Sequence, residues 1–568
     1  MENASETLLR RNEKIKEFVE TYKNEISKED IENVLKLSNL ELALAIKNQK
    51  ITSRKATLVY CLNSAIVGLE LNGIADIDFE KALLEAEAAD IKIKNSAKED
   101  LPNLIGLPIT IKDHVPVYGY IDTLGYCSKV YNISKKDCDV VKSLKELGVV
   151  IIAKSNVIQA LMGAESTNRI YGTCKNIYNL QRTTGGSSGG EACLISSYCS
   201  PLGIGTDIGG SIRNPASFCG IYGFKPTVNK ISSIGVKNLD NSENSAFPFW
   251  KCSTGYLSKD FDGILLLSQN LFGSFDHYEA DHRKFNYDEF NSERKIKVGY
   301  SFSHKGFEVH SSVKNSITET IKLLKENKYN YEFVEFDIDI FSDLLKKGVN
   351  LLLNGSTLLT VKDGLAGEEL IESYKDLTTL IEAPKFMINI MKNILSIFTN
   401  EKRKVQFIND YERYENLDDL WKNGQLFYKM RDEFYEYCKV KEIEAFILPT
   451  YPVPAPLIGN SLITNSTFFY MLFMNILNLP SISIPTALND DIEYKTQFND
   501  QLAKLMKDDV KTSKGMPVAI QIAALPGKDE IALRLARDSS DSLKFKYNDI
   551  SVKCDKNDKF WELRKVKN

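Results

Sequence analysis

The sequence predicts an α/β fold, in which helices cover both faces of a central sheet within one large domain. Amphipathic helical segments alternate with short apolar runs along most of the 568-residue chain, and this alternation is typical of α/β architectures. The runs are dense in Val, Ile and Leu at successive positions, as expected for strands with both faces buried. No internal repeat interrupts the pattern, and the length is ample for a large core.

The predicted elements begin with a helical region at residues 1–57, whose faces are rich in Lys and Glu. A main domain is expected at 58–540 and a charged C-terminal tail at 541–568. The charged stretch 486–514 is expected to be rich in loops. We predict helices at 58–73, 79–92, 136–148, 261–273, 311–327, 386–398 and 528–540. We predict strands at 107–111, 149–156, 295–302, 333–338, 445–449, 480–485 and 517–525.

Composition and charge narrow the classes of function. Apolar content of 43% and charged content of 26% are ordinary for a globular protein. A net charge of −4 gives no electrostatic reason to expect a nucleic-acid partner. The ten cysteines are scattered without a C-x-x-C pair, so we expect buried reduced thiols rather than a zinc site or disulfides. Neither a metal nor a cofactor is expected.

The N-terminal sequence MENASETLLRRNEKIKEF is charged and polar, which disfavours a secretory signal peptide. No window reaches the roughly 18 apolar residues that a membrane-spanning helix needs. We expect an intracellular protein, either cytoplasmic or attached to a membrane from one side.

One predicted helix differs from the others in its apolar surface. The segment FMINIMKNILSIF at 386–398 gathers polar residues on one face and large apolar residues elsewhere, and the basic run EKRK follows at 401–404. A helix of this kind can lie in a membrane interface, or it can pack its apolar side against the domain core. The sequence leaves both alternatives open.

The glycine-rich stretch from residue 185 to 227 contains two Gly-Gly-Ser sites, which end at Ser187 and Ser211. Glycines before a serine let the backbone adopt positive φ and bring its amides close to another atom. The first site also matches the G-x-S-x-G elbow of α/β-hydrolases, but that motif needs a strand before it and Asp and His partners after it. The preceding NIYNLQRTT is polar and not strand-like, and the later histidines lie in stretches without catalytic context.

A nucleotide site is disfavoured in the same stretch. Gly203, Gly205 and Gly209 give G-x-G-x-x-x-G, in which the third glycine is misplaced for a dinucleotide loop. No acidic ribose ligand follows at the expected distance, and no segment matches a Walker A loop.

A serine hydrolase without a catalytic histidine needs another base, and a neutral lysine can supply it. Lys112 closes the apolar run LPITI and is followed by Asp113 and His114, although its position alone favours a lysine that simply reaches solvent. Ser211 has the better setting for a nucleophile, because the amides of residues 208–211 can converge as an oxyanion hole. A tight turn without a catalytic role is the alternative.

Several motifs in register resemble the amidase signature family. They are GGSSGGEACLISS and SPLGIGTDIGGSIRNPASFCGIYGFKPT in the glycine-rich stretch, GLPITIKD around Lys112, and AFILPTYPVPAP, LNLPSISIP and GMPVAIQIAALPGKDEIALRLA downstream. The resemblance covers the chain from about Leu58 to Asp538. It implies a single domain around a mixed, twisted sheet, and an enzyme that hydrolyses carboxylic amides without a cofactor.

The resemblance also implies a Ser-cisSer-Lys triad. Ser211 would attack the amide carbonyl and form an acyl-enzyme ester, Ser187 would relay protons, and neutral Lys112 would be the ultimate base. The oxyanion would be held by the amides of Ile208, Gly209, Gly210 and Ser211. The supports of this loop would be Thr206, Asp207 and Arg213.

Within the family, the likeness is strongest to members that hydrolyse fatty acid amides, such as acyl ethanolamides or primary fatty amides. Those members carry an apolar helical cap before the ILPTYP motif, where residues 385–405 stand here, and their cap contacts the membrane. The stretch NVIQALM at 156–162 is similar to one that lines their acyl channel, which makes Leu161 a candidate for substrate contact. A lipid amide is then the expected small-molecule partner, and a homodimer is compatible with the resemblance.

Three other functions are weighed against this interpretation. A glutamine-hydrolysing amidotransferase subunit of tRNA-dependent glutamine synthesis shares these motifs, but it lacks an amphipathic helix like 386–398. A broad amidase for small amides also fits. A catalytically inactive scaffold is disfavoured, because Lys112, Ser187 and Ser211 are all present.

Overall fold

A mixed sheet of eleven strands runs through the computed structural model of the chain. The structure describes residues 2–238, 247–277, 279–302, 304, 308–354, 361–362, 364–372, 374, 378, 382–460 and 469–545. The strands of these residues are β1 (Ile74–Ile77), β2 (Pro108–Lys112), β3 (Val150–Ser155), β4 (Thr167–Asn168), β5 (Gly172–Thr173), β6 (Lys175–Asn176), β7 (Asn179–Thr183), β8 (Leu202–Asp207), β9 (Tyr222–Lys225), β10 (Ser253–Ser258), β11 (Ile296–Tyr300), β12 (Tyr331–Glu335), β13 (Ala445–Pro449), β14 (Ser481–Leu488) and β15 (Pro517–Ala524).

The order across the large sheet is β1-β3-β2-β8-β10-β9-β14-β15-β13-β11-β12. β2 runs parallel to β3 and β8, and β11 runs parallel to β12 and β13. The other neighbours are antiparallel. Two small antiparallel pairs, β4 with β5 and β6 with β7, stand apart from this sheet. The predicted mixed sheet is confirmed.

Helices flank the sheet on both faces. They are α1 (Glu2–Tyr22), α2 (Lys28–Leu35), α3 (Asn39–Lys47), α4 (Ser53–Asn63), α5 (Phe79–Asn95), α6 (Asp139–Glu146), α7 (Gly189–Ser196), α8 (Arg213–Cys219), α9 (Phe261–Leu271), α10 (Tyr287–Phe290), α11 (Ser311–Glu326), α12 (Ser342–Asn354), α13 (Lys385–Phe398), α14 (Lys402–Asp410), α15 (Leu417–Lys441), α16 (Phe469–Ile476), α17 (Gln501–Lys511) and α18 (Asp529–Leu543). Every residue of β2, β3, β8, β10 and β15 is buried. Since successive side chains of a strand point to opposite faces, both faces are covered, as predicted.

The N-terminal helical region is divided by its own capping residues. The hydroxyls of Ser27 and Ser38 accept hydrogen bonds from the backbone amides of Asp30 and Glu41, whose carboxylates bond back to the capping residues. These reciprocal capping boxes begin α2 and α3. The division of the chain at residues 57 and 540 stays a prediction, and most of the predicted tail, residues 546–568, lies outside the described residues.

One expectation about a polar stretch is wrong, and another is right only in part. The stretch before Ser187 does contain a strand, β7, but it pairs with β6 in a separate hairpin and its middle residues are exposed, so it lacks the apolar signature of the main strands. The charged stretch 486–514 has neither helix nor strand at 489–500, as predicted, but it also contains α17, whose buried side chains recur at helical spacing. They are Leu502, Ala503, Met506, Asp509 and Val510.

The helix predicted at 386–398 is present as α13, and it does not pack its apolar side into the core. Phe386 is 64% exposed, and Met387, Ile390 and Ile394 are 45%, 52% and 51% exposed. The helix contacts α14, which follows it in the chain. Among the described residues, none of the helices combines the length and the apolar character needed to cross a membrane.

Candidate active site

Lys112 is the last residue of β2, a strand in the interior of the sheet between β3 and β8. Its side chain is fully buried, so it does not reach solvent as its position alone suggested. Its Nζ donates hydrogen bonds to Ser187 Oγ at 2.8 Å and to Thr206 Oγ1 at 3.0 Å. Burial lowers the pKa of Lys112 from 10.5 to about 8, because the charged form is removed from water.

Ser187 lies between the hairpin strand β7 and helix α7, and the Gly186–Ser187 peptide bond is cis. The loop is closely packed at this point. The amide of Gly186 donates to Asn214 Oδ1 at 3.0 Å, and a Cβ on Gly186 would lie 2.6 Å from the carbonyl oxygen of Gly163. Although the G-x-S-x-G match thus stands between a strand and a helix, the partner of Ser187 is a lysine and not a histidine.

The two Gly-Gly-Ser sites are joined by their backbones. The amide of Ser188 donates to the carbonyl oxygen of Ser211 at 3.1 Å. Ser211 follows β8 and precedes α8, so the parallel pair β2 and β8 brings its loop to the same sheet edge as Lys112. Ser187 and Ser211 are both largely buried. Electrostatic interactions at these serines are therefore stronger than they would be in water.

The loop before Ser211 is fixed by a carboxylate. The amide of Gly210 donates to Asp207 Oδ1 at 2.7 Å. Gly210 has a φ of +123°, and a Cβ there would lie 2.7 Å from Met471 Sδ. This geometry differs from the expectation that the Gly210 amide faces an oxyanion together with its three neighbours, because Asp207 already accepts from it.

Asp207 and Arg213 form a fully buried ion pair. Arg213 Nε lies 3.0 Å from Asp207 Oδ2, and Asn475 Nδ2 donates to Asp207 Oδ1 at 2.9 Å. Burial alone would raise the pKa of Asp207, but the Arg213 guanidinium holds that pKa well below its usual range. Arg213 also donates to Gln521 Oε1 at 2.8 Å, so the predicted supports of the loop extend to the C-terminal part of the chain.

Sequence reasoning missed His114. Its Nε2 lies 3.2 Å from Thr206 Oγ1, the same hydroxyl oxygen that accepts from Lys112. Burial, and then the charge of Lys112, lowers the pKa of His114 well below its ordinary value, so the ring is neutral. The signal available in the sequence was its place two residues after Lys112, and the structure puts it in the turn that follows β2.

Leu161 belongs to a different environment. It packs against an apolar cluster formed by Leu124, Tyr126, Ala160, Val361, Leu365 and Tyr374. Leu161 and Ala160 both have positive φ, near +60°. The structure therefore places Leu161 in an apolar wall, and its contact with a substrate stays a prediction. Within the part of the chain that the structure describes, no group of three or more His, Cys, Asp or Glu could hold a metal ion.

A serine hydroxyl hydrogen-bonded to a buried lysine with a lowered pKa, in a loop joined to that of a second serine, is an arrangement that serine hydrolases of the Ser-Lys class use. The amidase family model matches residues 55–533. The chain belongs to the amidase signature family and is an amide hydrolase.

Known relatives differ in the substrates that their names give. The chain is 27% identical to pig (Sus scrofa) fatty-acid amide hydrolase 1, over 77% of this chain and 75% of that protein. It is 30% identical to a glutamyl-tRNA(Gln) amidotransferase subunit from Clostridium botulinum, over 81% of this chain and 92% of that one. A solved structure of fatty acid amide hydrolase superposes with a TM-score of 0.75 at 19% identity, covering 95% of this chain and 90% of that one. This last likeness shows the fold.

Proposed function

We propose that the protein hydrolyses fatty acid amides, with Ser211 as the nucleophile, Ser187 as the proton relay and Lys112 as the base. The observation that carries the chemistry is the 2.8 Å hydrogen bond between Lys112 Nζ and Ser187 Oγ in a buried site. A lysine with a pKa near 8 is neutral in part at neutral pH, and only the neutral amine can accept a proton.

In the first half-reaction, Lys112 takes the proton of Ser187 while Ser187 takes the proton of Ser211. The Ser211 oxygen then bonds to the amide carbonyl carbon, and the negative charge moves to the carbonyl oxygen. Amides of Ile208, Gly209 and Ser211 are the candidate donors to that oxyanion. The Gly210 amide, which donates to Asp207, holds the loop in shape.

In the second half-reaction, Ser187 returns its proton to the amide nitrogen and is reprotonated from Lys112. The carbon–nitrogen bond breaks, the amine leaves, and an acyl-Ser211 ester remains. Water then attacks this ester, giving up its proton through the same relay, and the fatty acid is released with Ser211 restored. The relay acts on the leaving nitrogen because an unprotonated amide nitrogen is a poor leaving group.

The exposed side of α13 supports the lipid substrate class. Four large apolar side chains face solvent there, and Lys392 and the basic run 401–404 lie nearby in the chain. Burying such a face in a membrane interface is favourable, and basic residues add attraction to anionic lipids. We therefore include membrane-surface contact through 386–398 in the proposal. A homodimer stays a prediction from the resemblance.

The second candidate, glutamine hydrolysis, is favoured by the likeness to the amidotransferase subunit, which covers 92% of that relative. A competition among amides separates the two. The purified protein is given oleoyl ethanolamide, oleamide, hexanamide and glutamine together with lipid vesicles, and products are followed by mass spectrometry. The Ser211→Ala variant is the control for contaminating activity.

We expect the two long-chain amides to be hydrolysed at least tenfold faster than hexanamide or glutamine, because burial of each methylene contributes about 0.8 kcal/mol. Faster turnover of glutamine would establish the second candidate, and faster turnover of hexanamide would establish a small-amide amidase. Either result would remove the fatty acid amide substrate from the proposal.

A further inference from the structure

His114 is a buried histidine with one ring nitrogen in a hydrogen bond. The ring is 3% exposed, and its Nε2 lies 3.2 Å from Thr206 Oγ1. Its Nδ1 is buried without a hydrogen-bond partner among the described residues. The bond to Thr206 is therefore the side-chain hydrogen bond that this ring makes within the part of the chain that the structure describes.

The position of Thr206 explains why that bond matters. Lys112 Nζ faces three oxygens: Ser187 Oγ at 2.8 Å, Thr206 Oγ1 at 3.0 Å and the Thr206 carbonyl at 3.5 Å. A neutral amine has two hydrogens and one lone pair. The lone pair faces Ser187 only when both hydrogens are directed at the Thr206 oxygens.

The carbonyl of Thr206 can only accept, but its hydroxyl can either donate or accept. If the Thr206 hydroxyl donated to Lys112, it would occupy the lone pair, and Lys112 would have to donate to Ser187. As a donor to Ser187, Lys112 could not accept the Ser187 proton and so could not act as the base. An acceptor on the far side of Thr206 prevents this arrangement, and His114 Nε2, 3.2 Å away, is that acceptor in the neutral tautomer that carries its proton on Nδ1.

Resting on the function proposed above, we infer that His114 is a positioning residue: as a neutral acceptor for the Thr206 hydroxyl, it fixes the lone pair of Lys112 on Ser187. Burial, and then the positive charges of Lys112, Lys154 and Lys237, lower the pKa of the ring and keep it neutral. The groups facing Lys112 itself are Cys252, Asp207, Glu191 and Asp113.

Of those groups, Cys252 also interacts with the side chain of Thr206. Burial raises the pKa of the Cys252 thiol to about 11, so the thiol stays protonated at neutral pH. A thiol sulfur is a weak acceptor, and a neutral imidazole nitrogen is a stronger one. The Thr206 hydroxyl therefore donates to His114 in preference to Cys252.

Three substitutions of His114 separate an acceptor from a space-filling ring. The terminal amide of Gln reaches the place of Nε2, the shorter amide of Asn reaches only the place of Nδ1, and Phe keeps the ring without either nitrogen. We expect His114→Phe and His114→Asn to lower kcat/KM for a fatty amide about tenfold or more. His114→Gln should restore most of the rate, and the melting temperature of His114→Phe should stay close to that of the unchanged protein.

The pH profile distinguishes positioning from mere loss of structure. Without the acceptor, the Thr206 hydroxyl donates to neutral Lys112, which favours the neutral form and moves the acid limb of kcat/KM to lower pH while the plateau falls. The inference would be overturned if all three variants reacted as fast as the unchanged protein. It would also be overturned if all three lost the same activity while the acid limb of kcat/KM stayed at the same pH. A ¹⁵N spectrum of labelled histidine showing His114 protonated at Nε2 would also overturn it.

A separate measurement tests the function beneath this inference. An alkyl fluorophosphonate should label Ser211 of the unchanged protein. If Ser211 is not labelled, the proposed function fails and the role of His114 falls with it. If Ser211 is labelled and His114→Phe matches the unchanged protein in rate and pH profile, the inference about His114 alone is wrong.

Discussion

The ε-amino group of Lys112 is enclosed at the end of a central strand, and its removal from water lowers its pKa to about 8. The protonated amine cannot act as a base, so activity should rise as pH passes upward through this pKa. We predict that kcat/KM for an amide at pH 7 is about a tenth of its plateau above pH 9. A pH–rate profile between pH 6 and 10 measures this directly.

Lys112→Ala should remove this rise of kcat/KM with pH, which is the acid limb of the profile. It should also lower the rate about 10²–10⁴-fold, the usual contribution of a general base. Its residual rate should rise steadily with pH as hydroxide replaces the lysine. Lys225→Met is the matched control, since Lys225 is also buried and burial lowers its pKa to about 7. If the limb disappeared in Lys225→Met and survived in Lys112→Ala, the base would be wrongly assigned.

The residues of the proposed triad could be selected from the sequence because motifs mark them. Ser187 and Ser211 stand after paired glycines, and Lys112 ends an apolar strand. His114 could not be placed in the same way. Its partner, Thr206, is distant in sequence, and only the parallel pairing of β2 with β8 brings the two side chains together.

At the scale of single elements, the glycine loop between β8 and α8 is held by packing that one methyl group would disturb. A Cβ on Gly210 would lie 2.7 Å from Met471 Sδ, at a φ of +123°, whereas a Cβ on Gly209 would lie 3.6 Å from Leu472 Cδ1. We predict that Gly210→Ala costs about 1–2 kcal/mol of stability and blocks labelling of Ser211. Gly209→Ala should have the same melting temperature as the unchanged protein. Equal melting temperatures of the two variants would contradict this account of the packing.

Helix α13 presents Phe386, Met387, Ile390 and Ile394 to solvent. We predict that replacing Phe386, Ile390 and Ile394 by Ser lowers the fraction of protein bound to phosphatidylcholine–phosphatidylserine vesicles at least tenfold. Co-sedimentation measures this fraction.

The control for that experiment is Leu84→Ser with Ile91→Ser on α5, where the two side chains are 66% and 62% exposed. This pair removes exposed apolar surface elsewhere and should leave vesicle binding intact. Equal binding by the α13 variant and the control variant would show that α13 does not contact the lipid surface.

Which elements could be predicted depended on their burial. The strands 107–111, 445–449 and 517–525 were predicted within one residue of β2, β13 and β15, because strands covered on both faces are apolar throughout. β7 and α17 were missed since half or more of their residues are polar or exposed. Whether α13 faces core or solvent could not be predicted, because its amphipathic pattern fits both.

At the scale of the whole molecule, the Asp207–Arg213 pair ties distant parts of the chain together. Arg213 donates to Gln521 on β15 and to Asn475 on α16, while Asp207 ends β8. Asp207→Asn would leave the buried guanidinium without a counter-charge, at a cost of about 3–5 kcal/mol. We predict a lower melting temperature and loss of amide hydrolysis.

Glu6→Gln is the control for this change. Glu6 pairs with Arg10 on the surface, with both side chains more than half exposed, so its loss should alter melting little. If Asp207→Asn had the same melting temperature as Glu6→Gln, the Asp207–Arg213 ion pair would not stabilise the fold. The order of the eleven strands around this pair was beyond the sequence, because it depends on contacts between segments hundreds of residues apart.

The central claim is that Ser211, and not Ser187, is the nucleophile. Peptide mass mapping after reaction with an alkyl fluorophosphonate tests it most directly. Both serines lie in one glycine-rich stretch, but a digest can separate them and so show which one is modified. The account predicts a phosphonyl group on Ser211 in the unchanged protein, with slower labelling in Lys112→Ala. A phosphonyl group on Ser187, or labelling that persists at full rate in Ser211→Ala, would contradict it.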